Sequence, residues 1–152
     1  MLNEIKFPIM DMTEFLFESE RVFFSDLTWE SKFTFKEKYI KKIPKWKYID
    51  ADGKLLKVKI IKKEKVNSLL SFLSAPKYNV ELAIVPTGKV YKLEELKKEI
   101  LLKKEKMFHI YHNKLMTLDV YERAINNANS FLEIIDIASF GDYKENNSSE
   151  NH

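Results

Sequence analysis

The chain of 152 residues is 45% hydrophobic and 13% aromatic, which suits one folded domain with a single substantial core. Three glycines argue against Gly-rich phosphate cradles, and the absence of cysteine excludes disulfides, thiolate metal sites and cysteine nucleophiles. The net charge of +3 hides a segregation: residues 31–65 hold thirteen lysines against four acidic residues, whereas 1–30 and 107–152 are net acidic.

Along the chain, Asn3 to Ile9 alternates loosely and stops at Pro8, as a short edge strand would. Residues 11–24 read equally as helix or strand. Asp11 with Glu14 resembles a capping box, but the aromatic content favours a strand near Arg21–Ser25. From Lys32 onward Phe33, Phe35 and Tyr39 share one face, with Lys32, Thr34, Lys36 and Lys38 on the other. Trp46 and Tyr48 then fall on a common face. The run Asp50-Ala51-Asp52-Gly53 predicts a hairpin turn, and Leu56, Val58 and Ile60 alternate after it with Lys57, Lys59 and Ile61.

Lys63 to Ser74 carries Val66, Leu69, Leu70 and Leu73 at helical spacing and ends before Pro76. Asn79 to Val85 reads as a buried strand stopped by Pro86-Thr87-Gly88, with a further short strand at Lys89–Tyr91. Leu93, Leu96, Ile100 and Leu101 predict a helix to about Lys104 whose wet face holds Lys97, Lys98, Lys103 and Lys104. Lys106 to His112 predicts a strand. The most regular stretch is the last: Leu118, Tyr121, Ile125, Ala128, Leu132 and Ile135 form one stripe of a helix from about Leu118 to Ser139, capped by Thr117. The polar residues 144–152 are expected to form a disordered tail behind a domain spanning 1–143.

Three stretches are candidates for chemistry. The first interleaves lysines with rings, and Lys32, Lys36, Lys38, Lys41, Lys42, Lys45 and Lys47 with Trp46 and Tyr48 would suit nucleic acid if the rings were exposed. Period-two alternation more often places such rings in a core with lysines outside. Only Arg21 and Arg123 are arginines among 26 basic residues, which favours diffuse attraction over bidentate phosphate reading. The second is His109 and His112. On a strand these lie on opposite faces, with no acidic residue at a metal-ligand spacing, so no metal or cofactor is expected. The third is the C-terminal helix, whose apolar stripe broadens where Phe131, Ile134 and Ile137 add a second face. Glu133 and Asp136 crowd its negative end. That face must meet the N-terminal segment or a second molecule.

The sequence therefore predicts a single α+β domain: an antiparallel-rich or mixed sheet with two shorter helices and a long C-terminal helix packed on it. No nucleophile elbow, Walker motif or dinucleotide fingerprint is present, and catalytic residues cannot be assigned. The expected function is non-enzymatic binding of another protein, or self-association, as a small inhibitor or immunity-type factor or an assembly subunit. Phe131, Ile134, Ile137, Glu133 and Asp136 are its candidate contacts, and nucleic-acid binding is the alternative. The N-terminus lacks signal architecture, and no apolar run approaches the ~20 residues of a membrane span, so a cytoplasmic location is expected.

Overall fold

The Asp-Gly turn nucleates the best-defined hairpin. Asp50 is buried, and its Oδ1 accepts hydrogen bonds from the N–H groups of Asp52 and Lys54, each at 2.9 Å. Its carbonyl accepts from Gly53 N–H at 3.0 Å, and Gly53 takes φ +82, a conformation that L side chains resist. The computed structural model describes residues 4–13, 25–26, 29–67, 75–105 and 116–138. Its elements are β1 (Ile9–Asp11), β2 (Ser25–Asp26), β3 (Lys32–Lys36), α1 (Glu37–Ile40), a 3-10 turn (Ile43–Lys45), β4 (Lys47–Ile49), β5 (Lys54–Lys65), β6 (Lys77–Val90), α2 (Leu93–Leu102), α3 (Leu118–Asn127) and α4 (Phe131–Ala138). The strands form one sheet in the order β2-β1-β4-β5-β6-β3, and every neighbouring pair is antiparallel. The fold is α+β, with its sheet covered on both faces.

Strand alternation sorts the apolar residues into two cores. Met10, Ile49 and Leu55 face α2, α3 and α4, where Leu96, Ile100, Tyr121, Ile125, Ile134 and Ile135 meet them. On the opposite face Ile9, Tyr48, Leu56, Val58, Val80, Leu82 and Ile84 are covered by Ile5, by Ile40 of α1 and by Ile43 of the 3-10 turn. No helix among the described residues is long and apolar enough to cross a membrane.

Several expected boundaries move. The first strand begins at Ile9, after a cis Phe7–Pro8 bond, and not at Asn3. Tyr39 lies on α1 and is exposed, off the face shared by Phe33 and Phe35. β5 runs on to Lys65, and Val66 N–H still donates to the Lys77 carbonyl at 2.9 Å, so the helix expected from Lys63 begins as strand. A long partner, β6, supplies the ladder that overrides a local helical period. β6 absorbs Pro86-Thr87-Gly88 because Pro86 lies beside a register shift, where no ladder donor is needed, and Gly88 takes φ +94. Lys97 is buried and not on a wet face: its Nζ donates to Glu94 Oε1 and to the Asn126 carbonyl, each at 3.0 Å, closing the last turn of α3. Most of residues 11–24, the rest of the expected helix to Ser74, the strand at 106–112 and the tail at 144–152 lie outside the described residues.

The long C-terminal helix is two helices. Ala128 is extended, at φ −63 and ψ 136, and ends α3. Ser130 then restarts the helix: its Oγ accepts from Glu133 N–H at 3.1 Å, while Glu133 Oε2 accepts from Asn129 N–H at 2.7 Å. This reciprocal arrangement is a near relative of the capping box. The break resets the helical phase. Leu132, expected on the buried stripe, is 46% exposed, whereas Ile135 of that stripe is buried and Ile134 and Ala138 are buried with it.

Candidate functional site

The sheet face carrying Tyr48 and Leu56 anchors a lysine-rich surface. Ile40 and Ile43 turn inward from α1 and the 3-10 turn, and Trp46 follows them into the aromatic core. Their neighbours Lys36, Lys38, Lys41, Lys42 and Lys45 are left exposed on the outside. The 3-10 turn packs along β5. Lys63 and Lys65 share its face, opposite Val80 and Tyr78, whereas Lys57 alternates with Leu56 and Val58 and lies on the other. A depression of about 500 Å³ at one end is lined by Lys36, Glu37, Lys38, Lys41, Ala75 and Pro76.

Charge on this surface is left largely unbalanced. Of the lysines between residues 32 and 65, only Lys62 forms an ion pair among the described residues, with Glu64 at 3.2 Å. Two like-charge pairs stand directly opposite each other on the sheet face away from Tyr48 and Phe35, Lys47 with Lys57 and Lys36 with Lys77. Such pairs destabilise a sheet. Partial burial, together with the charge of Lys57, holds the Lys47 ammonium below the usual lysine range. The Lys47 Nζ finds a neutral acceptor, the Pro44 carbonyl, at 3.0 Å.

The Trp46 and Tyr48 rings are not part of the surface. Trp46 is 9% exposed and Tyr48 2%. Trp46 meets Phe35 edge to face at 5.8 Å, and Tyr48 meets Trp29 likewise at 5.6 Å. The platform of Trp46 and Tyr48 that would have suited single-stranded nucleic acid is therefore core, and its lysines face outward.

The second expected site also turns inward. Ile134 is fully buried, and Phe131 and Ile137 pack against the helix-side core. A Cβ at Gly53 would lie only 2.5 Å from the Phe131 ring, so this ring sits flush on the hairpin turn. Glu133 is occupied in capping α4, and Asp136 is half-buried. The broadened apolar face is what remains when one stripe becomes two, each helix packing with its own phase. It serves the chain's own core.

Among the described residues no group of three or more histidines or carboxylates could hold a metal ion, and His109 and His112 lie outside those residues. The facing lysine pairs went unseen in the sequence, although the signal was present. Once the turn is centred on residues 51–53, Lys47 and Lys57 are equidistant from it and must face each other. No protein-family model, curated protein or solved structure matches this chain.

Proposed function

We propose that the protein is a non-enzymatic binding factor, of inhibitor or immunity type or a subunit of an assembly, whose lysine surface docks on an acidic protein. The observation that carries this reading is the two pairs of facing lysines, Lys47 with Lys57 and Lys36 with Lys77, none of which forms an ion pair among the described residues. A fold that keeps like charges in register accepts a small loss of stability that a complementary partner would relieve. The field of thirteen lysines would also steer such a partner into place. Phosphate would be drawn to the same lysines, but burial of Trp46 and Tyr48 and the scarcity of arginine favour a carboxylate-bearing surface.

The reading is tested by nuclease-treated affinity capture at low salt, comparing the wild type with Lys41→Glu/Lys45→Glu. Both positions are exposed, so the variant folds. The expected result is a stoichiometric acidic protein retained by the wild type, released by salt and absent with the variant. Capture that nuclease abolishes, or that the charge reversal leaves intact, contradicts the reading.

A further inference from the structure

β5 is 12 residues long, yet only residues 55–57 pair with β4. From residue 59 to residue 65 no strand lies along its outer edge among the described residues, and all seven side chains are exposed. An open edge of this length is a template for another strand. Its backbone orientation follows from the ladder. Val66 N–H donates to the Lys77 carbonyl, and Lys65 and Lys63 continue the same register opposite Tyr78 and Val80. Backbone groups alternate between inward and outward in an antiparallel pair. The N–H and C=O groups of Lys63 and Lys65 therefore point to the open edge, and those of Glu64 point to β6.

The side chains say what could pair there. Lys59, Lys62, Lys63 and Lys65 surround one carboxylate, Glu64. Two apolar residues accompany them: Ile60, 36% exposed, and Ile61, 63% exposed. Ile61 stands at a register shift, with no residue opposite it on β6. A second copy of this edge would set lysine against lysine, which is unfavourable. An extended acidic segment with interspersed apolar residues would satisfy the backbone, the charges and the isoleucines together. Lysines that repel a like edge attract this one.

We propose that the open edge of β5 takes up an extended acidic segment of the protein partner as an added strand. This rests on the partner's being an acidic protein, and it specifies how that partner is held.

The probe is a fluorescent peptide of about eight residues, near the usual length of a strand, alternating glutamate with valine. Binding is read by anisotropy, with a DNA duplex as a parallel probe. Lys63→Pro removes an outward N–H at an edge, where proline is tolerated, and Lys63→Ala removes the same side chain, with its ammonium over the Tyr78 ring, but keeps the N–H. The expected result is that Lys63→Pro weakens peptide binding at least about tenfold beyond Lys63→Ala, equivalent to 1.4 kcal/mol. Amide exchange of the wild type reads the same geometry without a variant: the peptide should slow Lys63 and Lys65, while Glu64, already bonded to β6, stays as it was. Equal binding by the two Lys63 variants, with no slowing at Lys63 and Lys65, overturns strand addition. If Lys41→Glu/Lys45→Glu still abolished binding in that case, the lysine-surface reading would stand. A peptide that fails to bind overturns strand addition, and a duplex that binds in its place overturns both.

Discussion

Replacing Gly53 by alanine combines two separable penalties. At φ +82 an L side chain crowds its own backbone, at about 1–2 kcal/mol. The new methyl would also lie 2.5–2.9 Å from three atoms of the Phe131 ring, and overpacking of that kind adds about 1–3 kcal/mol. Gly53→Ala should therefore destabilise the chain by about 2–5 kcal/mol. Phe131→Ala, at a half-buried position, should cost less than the roughly 3–5 kcal/mol of a fully buried phenylalanine. In the double variant the ring is absent and only the backbone term remains, so the two changes should fall short of additivity by about 1–3 kcal/mol. Urea unfolding of the four proteins measures this directly. Additivity to within about 0.5 kcal/mol would show that the ring does not sit on the turn, and would return Phe131 to the candidate partner contacts.

Three further outcomes follow from the same geometry. Lys57→Glu turns the Lys47 pair into opposite charges and should raise stability by about 0.2–1 kcal/mol while weakening the acidic partner; a lower urea midpoint would refute the repulsion. Ser130→Ala removes the hydroxyl that accepts from Glu133 N–H and should cost about 1 kcal/mol, read from the same unfolding curves; no loss would mean that the restart of α4 does not depend on it. Burial, reinforced by the hydrogen bond to Glu99 at 2.9 Å, pushes the Tyr91 hydroxyl up to about 12 from 10.0. The unfolded chain loses this proton first, so the stability it contributes is whole below pH 10.0 and is lost as pH rises to about 12. In a tyrosinate absorbance titration the component removed by Tyr91→Phe should have its midpoint near 12; a midpoint near 10.0 would contradict the burial.

The sequence was most readable where local chemistry and long-range pairing agree. Asp50 and Gly53 demand a tight turn, the flanking residues alternate, and the hairpin forms where expected. It was least readable where a distant partner decides. Val66 and the leucines after it have a helical period, but β6 draws Lys63 and Lys65 into its ladder. Lys97 looks like a wet-face lysine until α3 brings the Asn126 carbonyl within 3.0 Å. The helix break at 128–130 was legible in principle, since Ser130 and Glu133 have capping-box spacing. The continuous apolar stripe around it, from Tyr121 to Ile135, outweighed that signal.

The two candidate surfaces divide along the same line. Trp46 and Tyr48 alternate with lysines, and a strand with one covered face puts the rings inside. Phe131, Ile134 and Ile137 form a second stripe only on a continuous helix, and the restart at Ser130 turns that stripe onto the hairpin. The lysines survive as the exposed feature of the first stretch.

The most direct test of the lysine surface is a zero-length carboxylate-to-amine crosslinking map of the protein with the acidic partner captured from its host. The account predicts that the joined amines are those of Lys41, Lys45, Lys59 and Lys63, and that salt suppresses the bonds. Crosslinks confined to Lys92, Lys98 and Lys103 around α2 would contradict it.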